Sequence, residues 1–506
     1  MSPIVAIPPL TVVVNGSALP GEQTAFLGEV TVRQQLSLPT QCELAFFDPP
    51  ETLDAGARFR PGTALELSVA GHQELLFAGE VTAVEHLYGP GHEQEVRVRG
   101  YDLLHRLRKH QDVRAHVQIS AYELARELAA RLGLAVHAVE QGPTWQRLYQ
   151  HQQSDLALLA DVAARGGLYL TLREDGLHLV TLDGSGPELP LALGESLLEA
   201  RVEVNADPAC RTVTATGWDP LRVETHSGRA TAARTGRTVV ADAAPARVGS
   251  DGHRQLVNEP TPTDDHAAAL AQAELDRRTA GEVTFWGVAE GDPRLRPGAR
   301  VRVEGLERSL NGRYVLTEVT HRVDSEMGFV SELSSTPPAP TTRAKSAVST
   351  LGIVTAVDDP EQLGRIRVAL PAYGNVETEW LGMLGIGAGK GKGLVILPDV
   401  GDRVLVLLLH EDPGLGIILG GLYGMEGPPD SGVEGGSVRR YTLRTPGGQR
   451  VQLDDSNNSA RIENQDGSYV ELAPGTVRIH AATDLEIEAP GRSITIRGAS
   501  IDFERG

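Results

Sequence analysis

The chain has 506 residues, enough for several domains rather than one core. Its 47 basic and 67 acidic side chains give a formal charge of −20, which excludes a general nucleic-acid binder and a basic, membrane-adhesive surface. Cys42 and Cys210 are too few for a disulfide framework, no run approaches 18 apolar residues, and no charged stretch followed by an apolar one opens the chain; neither a spanning helix nor a secretory signal is therefore expected.

Abundant glycine and β-branched residues with few aromatics indicate a mostly β chain with helical insertions. Strands are expected at residues 11–14, 29–33, 42–46, 64–69, 75–84 and 95–99, with Asn15-Gly16 and Pro61-Gly62 as turns, in a small barrel or sandwich. Residues 101–108 place Leu103, Leu104 and Leu107 on one helical face. Residues 120–131 open with Ser and carry Glu three positions later, a capping box, and Gly133 stops them. Residues 154–164 follow the same grammar and end at Gly166-Gly167. A strand pair at 168–172 and 177–179 turns at Asp175-Gly176.

Beyond residue 196 the pattern repeats: strands at 213–216, then 229–233 and 237–241 across a turn at Gly236, a helix over 261–279, and strands at 283–288, 300–303, 314–319 and 330–333. Two β units, 1–195 and 196–333, each with helical insertions, indicate a duplicated architecture. Residues 334–350, with three prolines and no periodicity, read as a linker. Residues 351–426 hold five candidate strands (351–357, 364–368, 395–396, 403–409 and 416–419), the count of an OB-fold barrel. Residues 427–437 connect it to the last segment, 438–506.

That segment contains short alternating stretches, VRIH, LEIEA, SITIR and SIDF, with Ile479, Ile487, Ile496 and Phe503 at spacings of 8, 9 and 7. The spacing does not fit the six-residue period of a single-chain hexapeptide β-helix. Two readings remain. Several chains, most simply three, wrap around one axis and bury the apolar faces together, or the segment is an antiparallel meander packed on the preceding domain.

No catalytic constellation emerges. Residues 385–393, GIGAGKGKG, lack the G-x-x-x-x-G-K-[ST] order of a phosphate loop and read as a surface loop. His410, Glu411 and Asp412 adjoin Pro413-Gly414 and read as a solvated turn rather than converging metal ligands. Asp102 and His105 share a helix face, where a cap or surface contact is favoured over acid–base pairing. Asp454 and Asp455 are placed on the outside or turns of the repeat. No H-E-x-x-H, C-x-x-C or G-x-S-x-G is present. The expectation is a non-enzymatic protein with no cofactor and no metal site.

Several stretches together resemble the VgrG-like spike proteins of contractile injection systems, which are related to phage baseplate hub and tail-spike proteins. The resemblance runs through Tyr101-Asp102-Leu103-Leu104-His105-Arg106-Leu107; Tyr149 with Ser154-Asp155-Leu156 and Gly166-Gly167-Leu168; Pro297-Gly298, Asn311-Gly312-Arg313-Tyr314 and His321; Leu363-Gly364-Arg365-Ile366-Arg367-Val368; and the closing GIILGGLYG at 416–424. Leu158 or Leu159 stands where an aromatic is common in that family.

The resemblance implies duplicated β-barrel hub domains, an OB-fold barrel and a C-terminal intertwined triple-stranded β-prism, or β-helical needle. It implies a homotrimer with Ile479, Ile487, Ile496 and Phe503 in its core. A hexameric inner tube protein and baseplate proteins would lie above, and a PAAR-type tip protein would dock on Ser500, Ile501, Asp502 and Phe503, with cargo effectors as further partners. Such a spike would assemble in the cytoplasm within a phage tail-like particle and pierce a target membrane on firing without stable insertion. Glu471, Glu486 and Glu488 would face outward. A chain ending at Gly506 leaves no room for an effector domain, so a bare spike is expected. A puncturing protein with a hydrolase-related role and a carbohydrate-binding adhesin are the alternatives; residues 427–436 leave no space for a lysozyme domain, and Tyr441, Tyr469 and Phe503 are too few for an aromatic platform.

Overall fold

Val and Leu alternate with charged residues along the first hundred positions, so each strand there has one face that must be buried. In the computed structural model, which describes residues 9–340, 346–425 and 427–504, these strands form at Leu10–Val14, Leu27–Gln35, Gln41–Phe47, Ala64–Val69, Leu75–Tyr88 and Gln94–Tyr101. Residues 341–345 of the expected linker lie outside the described residues. The chain divides into two compact units, Met1–Gly421 and Leu422–Gly506.

The strands of the first hundred residues do not close on themselves. They belong to an eleven-stranded sheet that also contains Leu197–Val204, Val283–Glu290, Glu318–Asp324 and Gly328–Ser334. The join is the antiparallel pair Leu27–Gln35 and Glu318–Asp324, in which Val32 faces His321. A strand from one half thus satisfies the edge of the other, and the sheet continues where a separate barrel or sandwich was expected. Val30, Val32, Leu44, Phe46, Leu65, Leu67 and Val98 form the core below the first half, and Val323 and Phe329 enter it from the second.

The two expected helices form at Ala121–Ala130 and Asp155–Arg165. The capping box is present: Glu123 N donates to Ser120 Oγ at 3.3 Å, and Ser120 N donates to Glu123 Oε2 at 2.8 Å. Leu124, Leu128, Leu156 and Leu159 pack with Leu170, Leu177 and Leu179 in a second core. Asp155, wholly buried, is held by Arg114, Arg131 and Gln150 at 3.2, 3.1 and 2.8 Å, so three donors balance the desolvated carboxylate.

In the second half, the expected hairpin at 229–233 and 237–241 does not form. Strand Thr212–Asp219 pairs instead with Glu224–Ala230 and with His253–Glu259. Residues 231–244 run without strand structure; Gly236 N donates to Leu182 O and Thr238 N to Arg313 O. The turn-like Gly236 misled because its need is close approach: a Cβ there would lie 2.1 Å from Asp183 O. Helix Asp264–Ala280 packs against strand Glu224–Ala230.

Residues 347–421 form a six-stranded sheet ordered Val376–Glu377, Arg367–Leu370, Ala347–Ala356, Arg403–Leu409, Gly416–Gly421, Gly382–Met383. An isolated bridge between Ile366 and Leu381 links one side of this sheet to the other. Val354, Ile366, Val368, Leu381, Val404, Val406, Leu408 and Ile418 fill its interior. No strand forms at 395–396: Val395 and Ile396 lie in an irregular stretch and are exposed. Their apolar character marked a surface, not a core strand.

The second unit contains a hairpin (Val433–Glu434, Ser437–Val438) and a five-stranded antiparallel meander: Arg440–Arg444, Arg450–Asp454, Ser459–Glu463, Tyr469–Ala473, Thr476–His480. Of the four repeat segments, only VRIH is a strand within the single chain. LEIEA, SITIR and SIDF lie in residues 481–504, which have no strand partner here. Alternation alone does not supply a neighbour to pair with.

Candidate assembly surface

The meander brings ten side chains into two rows on one face. Tyr441, Leu453, Ala460, Leu472 and Val477 are paired successively across the five strands, and so are Leu443, Val451, Ile462, Val470 and Ile479. Period-two alternation puts every one of them on the same side. All but the half-buried Ala460 are exposed.

The opposite face is polar and cross-linked by ion pairs. Arg450 Nη2 donates to Glu463 Oε2 at 2.5 Å and Arg461 Nη2 to Glu463 Oε1 at 3.0 Å. Arg461 also lies 3.6 Å from Glu471 and 3.8 Å above the Tyr469 ring, which stacks on His480. At the start of the unit Asp430 accepts from Arg440 and Thr442, which holds its carboxyl well below the usual range. The charged groups are thus engaged with one another, while the apolar rows are largely exposed among the described residues. An uncovered apolar face of this size marks an interaction surface, and burying each large aliphatic side chain stabilises by about 1.5–3 kcal/mol.

Ile479 sits in the second apolar row, opposite Val470. Ile487 and Ile496 are exposed in the unpaired tail, and Phe503 is 91% exposed near its end. In the candidate tip segment the Ser500 hydroxyl lies 3.4 Å from Asp502 Oδ2 and Ile501 is exposed. The structure therefore brings Ile479 together with the meander's apolar rows, but not Ile487, Ile496 or Phe503. Leu443, Val451, Leu453, Ile462, Val470 and Leu472 belong to the same surface and lay outside the counted repeat. Their signal was present in YTLR, VQL and YVEL, at a different spacing.

A second apolar surface lies on the first unit. Leu384, Ile386, Leu394, Val395 and Ile396 are exposed around the glycine-rich 385–393 loop, and Leu351 and Ile353 are exposed on strand Ala347–Ala356. The loop is a tight reversal in which Gly389 and Lys392 bridge each other.

The weak motifs resolve into structural contacts. Asp102 caps its short helix by accepting from Leu104 N and Thr40 N at 3.0 and 2.7 Å; burial pushes its carboxyl up to about 6. His105 pairs with Glu80 at 2.6 Å, not with Asp102. Asp412 accepts from Gly414 N and Glu411 from Ser346, as expected of a turn. Asp454 closes its strand by accepting from Asn457.

Comparison with known proteins gives two family matches. Residues 33–327 match the phage tail baseplate hub (GPD) family, and residues 350–423 match the type VI secretion system/phage-baseplate injector OB domain. Among solved structures, the E. coli c3393 protein, described as a type VI secretion component similar to the T4 tail proteins gp27 and gp5, aligns at 15% identity and TM-score 0.51, covering 78% of this chain and 96% of that one. A chain of the half-lidded Francisella PdpA–VgrG complex aligns at 8% identity and TM-score 0.55, covering 93% and 87%. The lidless complex aligns at 8% and 0.53, covering 94% and 99%. No curated protein sequence matches.

Proposed function

We propose a function from one premise: this chain belongs to the phage tail baseplate hub family. It acts as the structural hub and spike of a contractile injection system and catalyses nothing itself. Three copies associate around one axis. The two hub halves of each copy supply six similar positions to a hexameric inner tube, and baseplate proteins surround them. The sheet of residues 347–421 is the OB barrel beneath. The C-terminal segments form a needle that ends on Ser500, Ile501, Asp502 and Phe503, where a PAAR-type tip protein docks and cargo follows. The assembly forms in the cytoplasm and the needle crosses a target membrane on contraction.

The observation that carries this reading is the uncovered apolar face of the meander, continued by Ile487, Ile494, Ile496 and Phe503 in the unpaired tail. A lone chain would leave these groups in water. Copies wrapped about an axis bury them together and give residues 481–504 the strand partners they lack, converting an open meander into a prism. Ile479, Ile487, Ile496 and Phe503 then line the core. Such an intertwined core cannot lose one chain without breaking throughout, which suits a part loaded along its axis.

The test is the mass of the purified full chain by sedimentation equilibrium. Three chains per particle are expected; a stable monomer at micromolar concentration would overturn the reading.

A further inference from the structure

Outside the assembly surface, one cluster of ligating side chains stands apart among the described residues. Strand Val136–Ala138 pairs in parallel with Gly176–Val180, and the register sets His137 directly beside His178. The two imidazoles stack with centroids 4.7 Å apart. Asp175, at the turn that feeds the second strand, is 2.8 Å from His178 Nε2 through Oδ1 and 3.8 Å from His137 Nε2 through Oδ2. One ligand atom from each of the three residues lies within 4.8 Å of the others. The two histidines are 41 positions apart in sequence, so no linear spacing announces them; parallel pairing alone brings them together.

We propose that His137, Asp175 and His178 bind one divalent transition-metal ion, of the class that takes imidazole and carboxylate ligands, with Zn2+ as the reference ion. Two imidazole nitrogens and a carboxylate suit such ions, at ligand distances of about 2.0–2.2 Å. The remaining positions face solvent, because His137 and Asp175 are exposed while His178 is half-buried. Both strands are anchored independently of the cluster. Leu177 and Leu179 lie in the core, and Gly176 fits because a Cβ would meet Ala135 O at 2.4 Å. The ligands are therefore presented on a rigid edge, and small side-chain rotations suffice to converge on an ion. The nearby cation, Arg173, is tied to Ser185 at 2.7 Å. A bound ion would clip the parallel pair at its exposed end.

The experiment is calorimetric titration of the chelator-treated full chain with ZnCl2, repeated with NiCl2 and read in parallel as a shift in melting temperature. One saturable equivalent per chain is expected, with an upward thermal shift that grows with ion concentration. His137→Ala and His178→Gln should each weaken binding at least tenfold, and Asp175→Asn should weaken it less. His137 projects from the surface, so His137→Ala keeps the fold, and near-ultraviolet circular dichroism verifies this. Absence of saturable binding up to millimolar ion, or binding unchanged in both histidine variants, would overturn the proposal.

Discussion

Arg147 Nε lies 3.0 Å from Glu379 Oε1, an ion pair between a strand of the helical insertion and the sheet of residues 347–421. It is reinforced locally. Arg147 Nη1 donates to Thr378 O at 3.1 Å, the Tyr149 hydroxyl donates to Glu377 O at 3.1 Å, and His151 meets the Tyr373 ring edge-on. Leu221 adds an apolar contact to the core of that sheet. The Tyr149 region, singled out in the sequence by resemblance alone, thus has a physical task. It fastens the hub to the domain that follows, a connection that must transmit axial force if the chain serves as a spike.

Arg147→Ala should loosen this joint. The loss is about 1–3 kcal/mol, as for a hydrogen-bonded charged group with limited exposure. A cycle with Glu379→Gln should return a coupling above about 0.5 kcal/mol. Differential scanning calorimetry reads both. Additive single variants would show that the pair contributes nothing beyond its separate parts.

Two buried histidines should make the hub acid-sensitive. His321 pairs with Ser331 at 2.8 Å beneath the sheet join, and His266 lies edge-on to Trp145 at 4.3 Å. Burial lowers each from 6.5 to about 4; for His266 the charge of Arg165 adds to the shift and Asp265 opposes it, while Asp292 opposes it at His321. Below 6.5 the unfolded chain takes up protons that the folded chain refuses. Stability is therefore fully present above 6.5 and lost as pH falls towards 4, by on the order of 2–3 kcal/mol per histidine. Urea midpoints measured from pH 7 to 4 should show this fall, and His321→Gln should flatten part of it. A wild-type profile level across that window would contradict the assignment.

What the sequence disclosed follows what local chemistry controls. The capping box at Ser120 and the alternation in the first hundred residues specify their elements without help, and both form. The tail repeat was legible as alternation, yet among the described residues Ile487, Ile496 and Phe503 have no strand neighbour, because alternation marks the faces of a strand and not the strand it pairs with. Val395 and Ile396 read as a strand because exposed apolar residues carry the same sequence signature as buried ones. Gly236 read as a turn because a glycine required by close packing cannot be told from one required by a positive φ. The His137–His178 pair was invisible because strand order in space is not written in linear spacing.

Gly228 makes the point about packing testable. It lies on strand Glu224–Ala230 beneath helix Asp264–Ala280, and a Cβ there would sit 2.1 Å from Ala268 N and 2.4 Å from Ala267 C. These are backbone atoms and cannot rotate away, so Gly228→Ala must push the helix off the sheet. A loss of about 1–3 kcal/mol is expected from such overpacking, visible as a lower melting temperature. Gly364→Ala would be uninformative, since its positive φ confounds the comparison. Gly56→Ala, in open space with an ordinary φ, is the proper control and should be close to neutral.

The apolar face of the second unit gives the sharpest division between readings. Ile462 occupies the middle of the second row, and Thr476 lies on the opposite, polar face of the same sheet. In the proposed trimer Ile462→Asp would bring three carboxylates into a shared apolar core, and burying unpaired like charges costs several kcal/mol each. The trimer should dissociate or fail to assemble, whereas Thr476→Asp should leave it intact. Ile487→Asp should weaken it as well if the unpaired tail joins the core. A chain cut after Ser437 should lose trimer stability. Removing only Ser500 to Phe503 should preserve the proposed trimer and abolish capture of the proposed PAAR-type tip protein. Sedimentation of these variants separates the outcomes. A trimer indifferent to aspartate at Ile462 and Ile487 would mean that the exposed rows are covered by something other than copies of this chain.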